Sequence, residues 1–157
     1  MLTVSDGVRA GVREDTSGDT LEHLLREEGF DVSRRIVSDD SSLIAEAIAE
    51  LADSGSLLVL TTGGTGFAPR DVTPEATRTV LEREAPGIAE AIRADALSRT
   101  PHALLSRGIA GLRGATLVVN LPGSTGGCRD GFAVIRPALR HGLELAAGDT
   151  ATPHRQT

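Results

Sequence analysis

The chain contains no lysine: all 16 of its basic residues are arginine. That excludes Schiff-base chemistry and excludes a P-loop, whose lysine reaches the phosphates. An anionic ligand must be met by arginine, backbone N–H groups or a metal ion. Tryptophan and tyrosine are absent too, and phenylalanine occurs three times. A reader of single-stranded nucleic acid needs aromatic platforms for base stacking, and this chain has almost none. The net charge of −6 argues the same way, against nucleic acid and against anionic membrane surfaces. A single cysteine, Cys128, allows no intrachain disulfide, which suits a reducing compartment. No apolar run approaches the ~18 residues of a membrane span. The amino terminus lacks the charged and apolar regions of a signal peptide. The expected location is the cytoplasm, with no membrane partner.

What is present points to an α/β domain. A length of 157 residues suffices for one domain with a real core and is short for two. Residues 1–5 read as a strand and 6–17 as a loop rich in Gly, Arg and Asp. A helix is expected over 18–28, with Leu21, Leu24 and Leu25 on one face and Gly29 as its stop. A second strand covers 30–37 and a polar turn 38–42. Leu43, Ile44, Ala47, Ile48 and Leu51 then recur at helical spacing. Leu57-Leu58-Val59-Leu60 fits a buried parallel strand. This alternation predicts a three-layer fold: a mostly parallel central sheet, right-handed crossovers, and helices on both faces.

Downstream, a helix over 73–84 is broken by Pro86-Gly87, and a second helical stretch runs to Leu97. Residues 106–112 and 115–120 read as strands joined at Arg113-Gly114. Residues 126–148 are mostly helical, with Pro137 either kinking the helix or starting another. One domain over 1–148 is expected, followed by a flexible polar tail at 149–157.

The most informative stretch follows the third strand. Thr61-Thr62-Gly63-Gly64-Thr65-Gly66 offers bare backbone N–H groups and hydroxyls, a surface suited to phosphate oxygens. It is not a dinucleotide fingerprint, because Pro69 stands where the third glycine belongs. Arg70 and Asp71 follow, a phosphate-binding cation beside a carboxylate able to hold Mg²⁺. Thr73-Pro74-Glu75 then opens a helix, with Thr73 as the expected N-cap. A bland reading stays open, in which the glycines serve only a tight strand-to-helix turn. Asp71 is the first candidate for a catalytic carboxylate, with helix capping as its alternative. Asp39 is the second, inside a Ser-Asp-Asp-Ser-Ser run whose composition is also that of a helix start; Asp40 is its neighbouring alternative. Cys128 has no histidine partner in view and is expected to be a packing residue near a helix start. The four histidines form no metal-ligand pair.

TTGGTG, three residues, then Arg-Asp-x-Thr-Pro-Glu is similar to the signature of the molybdopterin adenylyltransferase family. That family includes bacterial molybdenum-cofactor proteins and the G domain of the eukaryotic insertase and gephyrin proteins. Other elements stand in family order: Ser5-Asp6, Asp15-x-Ser17-Gly18, Leu105-Ser106-Arg107 and Asn120-Leu121-Pro122-Gly123-Ser124. The resemblance implies a molybdopterin-binding-like fold. It also implies Mg²⁺-dependent transfer of AMP from ATP to the terminal phosphate of molybdopterin, releasing pyrophosphate. Asp39 and Asp71 match the family's two required aspartates and are the expected metal ligands. Ser5, Asp6, Asp15, Ser17 and Gly18 match a loop on the nucleotide side, with turn formation as the alternative for each. Thr62, Gly63, Gly64, Thr65, Gly66 and Arg70 would hold phosphates, Ser106 would lie on the pterin side, and Pro122, Gly123 and Ser124 would form a second cradle. A homotrimer or larger ring is implied, with the molybdenum-insertion protein as a candidate partner. A non-catalytic pterin-binding or scaffold protein is the alternative. Relatives often carry a lysine just past the second cradle; here the nearest cation is Arg129.

Overall fold

The computed structural model describes residues 1–148; the expected tail lies outside the described residues. Six strands are present among them: β1 (Leu2–Val4), β2 (Arg35–Val37), β3 (Leu58–Thr62), β4 (Arg83–Glu84), β5 (Ala110–Arg113) and β6 (Thr116–Leu121). The helices are α1 (Asp6–Arg9), α2 (Thr16–Glu27), α3 (Ser41–Asp53), α4 (Thr73–Val80), α5 (Pro86–Leu97) and α6 (Thr125–Ala146), with a 3-10 helix over Pro101–Leu105. The strands form one sheet in the order β2-β1-β3-β6-β5-β4. The first four of these run parallel, and β5 and β4 are antiparallel additions at one edge.

Alternation along the central strands divides the core into two layers. Leu60, Val119 and Leu121 face a cluster with Leu21 and Leu25 of α2, Ile92 of α5, and Phe132, Ile135, Leu139 and Leu143 of α6. Leu2, Val4, Val59 and Val118 face the other way, onto Ile44, Ile48 and Leu51 of α3 and Ala76 of α4. The expected α/β architecture, with a mostly parallel sheet and helices on both faces, is the one observed.

Several boundaries differ from expectation, each for a tertiary reason. The loop expected over 6–17 contains α1, whose first N–H is capped from outside the element by the Asp39 carboxylate at 2.8 Å. Helix α2 starts at Thr16 because Asp15 caps it, accepting from Gly18 N. The second strand shrinks to three residues because β1, its partner, offers only Leu2 to Val4 for pairing. The helix expected to reach residue 84 ends at Val80. The chain beyond is drawn to β5, where Glu82 N and Ala85 N donate to Leu112 O and Ala110 O at 2.9 and 2.8 Å. Thr73 is not the N-cap of α4; Val72 holds that position without a side-chain bond, and the Thr73 hydroxyl instead donates to Gly63 O at 2.9 Å. Helix α6 is continuous through Pro137.

Topology fixes where a ligand can sit. From β1 the chain goes to β2 on one side, while β3, on β1's other side, leads on toward β6. Ligands of parallel sheets bind outside the strand carboxyl ends where the strand order switches in this way. Four turns meet at that edge: after β1 at Ser5, after β2 at Ser38-Asp39, after β3 at Gly63, and after β6 at Pro122.

Candidate functional site

The three central strand ends pack backbone against backbone. Gly63 has φ 101°, and a Cβ there would lie 2.2 Å from Val4 O. A Cβ on Gly123 would lie 3.1 Å from Gly63 Cα. The glycines therefore let three turns come within a distance that side chains forbid. Beneath them a buried network ties the strands to α4. Asn120 Nδ2 donates to Thr61 Oγ1 and Thr77 Oγ1 at 3.0 and 2.9 Å, and Asn120 Oδ1 accepts from Ile109 N at 3.2 Å. Every polar group of that amide is thus satisfied, as burial requires.

Above the turns lies a cleft of about 740 Å³. Ser5, Ser17, Asp39, Thr62, Gly63, Gly64, Asp71, Gly123 and Ser124 all line it. The two expected carboxylates thus reach one cavity from separate turns. Asp39 Oδ2 accepts from Asp6 N at 2.8 Å, and Asp71 Oδ2 accepts from Ala68 N at 2.9 Å. Each keeps its second oxygen unengaged by any protein donor among the described residues. Asp40 does not compete with Asp39: its carboxylate caps α3, accepting from Ser42 N and Leu43 N at 3.0 Å.

A second cleft of about 410 Å³ adjoins the first. Its walls include Thr65, Gly66, Ser106 and Pro122 together with Ile92, Ala103 and Leu105. Ser124 lines both clefts. Ser106 is therefore placed apart from the carboxylates, on a more apolar wall.

Four residues expected to touch ligand line neither cleft. Asp15 is one; its carboxylate accepts from Thr3 Oγ1 and from Arg34 Nη2, both at 2.7 Å, as well as from Gly18 N. Burial alone would push its pKa up, but the bonds from Arg34, Thr3 and Gly18 outweigh it and hold the carboxyl low. Gly18 serves that cap, since a Cβ would lie 2.2 Å from the Asp15 carboxylate. Asp6 accepts from Asp39 N at 3.1 Å and pairs with Arg70 at 2.7 Å, so Arg70 stands at the rim already engaged. The Thr62 hydroxyl, although its residue lines the cleft, is buried and donates to Pro122 O at 2.9 Å. Cys128 Sγ sits 3.0 Å from that hydroxyl, fully buried, as a packing residue in the first turn of α6. Arg129 lines neither cleft.

One important residue had no role assigned from sequence. Arg107 N donates to Thr65 O at 2.9 Å and its Nε to Gly66 O at 2.7 Å; its guanidinium also reaches Asp71 O and pairs with Glu75. It clamps the far limb of the glycine loop onto α4 and so positions Asp71. The Leu-Ser-Arg motif marked the place without indicating a structural target 36 residues away.

No group of three or more acidic, His or Cys side chains able to hold a metal occurs among the described residues. Two hard carboxylates on one cleft nevertheless suit Mg²⁺, which keeps several waters and takes its other ligands from substrate phosphates.

A family model described as a probable molybdopterin binding domain matches residues 1–141. The chain is 37% identical, over 95% of its length and 87% of the relative's, to the molybdopterin adenylyltransferase of Helicobacter pylori strain J99. It is 41% identical over 96% of its length to the molybdenum cofactor synthesis protein cinnamon of Drosophila melanogaster, of which it spans only 26%. Among solved structures it is similar to the molybdopterin biosynthesis enzyme MoaB of Thermus thermophilus, with TM-score 0.88, 47% identity and 94% of each chain covered. With the site's glycine turns and carboxylates inside the matched region, the chain belongs to the molybdopterin-binding domain family.

Proposed function

We propose that the protein is a molybdopterin adenylyltransferase acting in molybdenum cofactor biosynthesis. One observation carries the reading: two clefts of different character meet at Ser124, and the polar one holds both Asp39 and Asp71. A nucleotide triphosphate fits the polar cleft and a flat pterin the more apolar one. An oxygen of the pterin's terminal phosphate attacks the α-phosphorus of ATP. A new P–O bond forms, the α–β bridging bond breaks, and pyrophosphate leaves with the electron pair. No protein nucleophile is needed. Asp39 and Asp71 would hold Mg²⁺, which when bound would supply neutralisation of charge on the transferring phosphoryl group. The N–H groups of Gly63 and Gly64, with Ser124, hold phosphate oxygens, and Arg107 keeps the loop and Asp71 in register. Catalysis is then mostly positioning and electrostatics.

The same reading puts the enzyme in the cytoplasm as a homotrimer that passes its product to a molybdenum-insertion protein. Apolar side chains left exposed, Leu104 at 68% and Phe67 at 66%, support contact with a second copy. The test incubates protein, ATP, Mg²⁺ and molybdopterin and measures adenylylated pterin by mass spectrometry. Product is expected with the parent protein and less than a tenth as much with Asp71→Asn. Pterin binding without transfer in the parent would replace the enzyme reading with a scaffold.

A further inference from the structure

Charge around the nucleotide cleft is unbalanced. Its acidic lining is Asp39, Asp71 and Glu14. Its cationic lining is one residue, Arg13. The other arginines that line either cleft, and the two that brace the glycine loop, are engaged. Arg70 pairs with Asp6 at 2.7 Å. Arg107 is bound to the glycine loop. In the second cleft, Arg93 donates to Gly108 O at 2.8 Å, and Arg99 pairs with Asp95 and Asp130. Among the described residues, the Arg13 guanidinium has no ion pair and no hydrogen bond.

The backbone of Arg13 is nevertheless fixed. Val12 N and Arg13 N both donate to Gly7 O, at 3.0 and 3.1 Å, closing the loop onto α1. A Cβ on Gly7 would lie 3.5 Å from Arg13 Cβ, so the base of the side chain sits over the glycine face of that helix. The loop is tied again at its far end, where Thr125 Oγ1 at the start of α6 donates to Thr16 Oγ1 at 3.2 Å. A preset backbone carrying an unspent guanidinium at a cleft wall is what polyphosphate recognition requires.

We infer that Arg13 binds the β- and γ-phosphates of ATP and takes the place of the lysine this chain lacks. The inference rests on the adenylyltransferase reading. Phosphoryl transfer runs in line, with attacking and leaving oxygens on opposite sides of phosphorus. The pterin phosphate approaches from the second cleft, through the junction at Ser124. The departing pyrophosphate therefore lies on the side away from that cleft. Arg13 lines the first cleft and not the second, so its charge is available to the nucleotide and not to the pterin. Arg129, the other candidate, lines neither.

The experiment measures equilibrium binding of Mg·ATP and of AMP, and steady-state transfer, for the parent, Arg13→Ala, Arg13→Lys and Arg129→Ala. Arg13→Ala should weaken Mg·ATP binding at least tenfold, leave AMP binding within twofold, and leave pterin binding unchanged. Arg13→Lys should recover part of the ATP affinity, since a point charge replaces the planar fork. Arg129→Ala should match the parent throughout. Arg13→Ala within twofold of the parent for Mg·ATP overturns the assignment, and so does an equal loss for ATP and AMP. If the parent transfers AMP while Arg13→Ala is unaffected, only the inference fails. A parent that binds no nucleotide removes both readings. Thermal unfolding of each variant separates these results from loss of fold.

Discussion

Two glycines three residues apart in one loop should fail in opposite ways. At Gly63 the backbone sits at φ 101°, and a new Cβ would meet Val4 O at 2.2 Å. The left-handed strain on an L-residue costs about 1–2 kcal/mol. The clash is with backbone of a central strand, so relief requires moving β1, an overpacking cost of about 1–3 kcal/mol. Gly63→Ala should therefore lose about 2–5 kcal/mol. At about 2–4 °C per kcal/mol for a chain of this size, Tm should fall by roughly 4–20 °C. At Gly66, which lacks a positive φ, the new Cβ would meet Asp71 Oδ2 at 2.9 Å, the far end of a side chain. Gly66→Ala should shift Tm by less than about 3 °C while pushing that carboxylate from its place. Transfer should then fall at least tenfold, about 1.4 kcal/mol of barrier. Circular dichroism melts beside an adenylylation assay read both variants. A Gly63→Ala protein melting within about 2 °C of the parent would refute the claim that the strand ends are in rigid contact. Gly66→Ala at full activity would remove Asp71 from the catalytic role.

Other expectations separate neighbouring residues. Asp40→Ala should cost about 1 kcal/mol through the lost α3 cap and leave transfer intact, whereas Asp39→Asn should abolish transfer; the reverse pattern in paired melts and assays exchanges their roles. Asp15 has a folded pKa below its unfolded value, so its stabilisation is complete above the unfolded carboxylate range and is lost as pH falls through the folded value. Asp15→Asn should therefore lower the urea midpoint at pH 7, and the two proteins should converge in acid; a constant gap would count against the Arg34 bond as the cause. Burial pushes the Cys128 thiol up to about 11. Ellman's reagent at pH 8 should label it only in denaturant, and rapid labelling of native protein would contradict its buried packing role.

Legibility from sequence followed the range of the forces involved. The β1-α2-β2-α3-β3 series could be read because each element carries its own apolar period and a local stop, such as Gly29. The β5–β6 hairpin was legible at Arg113-Gly114 because glycine supplies a positive φ there. By contrast α1 is four residues long and depends on a carboxylate from Asp39, 33 residues away. Strand β4 is two charged residues, held by β5 rather than by its own propensity. Thr73 carries the composition of an N-cap, yet its hydroxyl is drawn to Gly63 O. At the site, residues that line the clefts were found where glycine or a paired carboxylate gave a chemical reason. Asp15 and Asp6 line neither cleft; an ion pair within the fold and a contact to a ligand draw on the same polar residue types. Only the partner distinguishes them, and Arg34 and Arg70 come from distant segments.

The Asp6 contacts have a mechanical consequence. Its carboxylate accepts from Asp39 N, its own N–H donates to the Asp39 carboxylate, and its outer oxygen holds Arg70. The turns after β1 and β2 are thereby joined to the tip of the glycine loop. Arg107 holds the same loop from the other side, through Gly66 O and Asp71 O. Asp39 and Asp71 are thus braced from opposite walls by residues that do not line the first cleft. Asp39 and Asp71 face one cavity together with Glu14, and the cationic side chain lining it is Arg13. A brace built from ion pairs and backbone bonds fixes both at the cleft. On the adenylyltransferase reading we propose, a divalent cation and a triphosphate would meet carboxylates already oriented, and little reorganisation would remain at the moment of reaction.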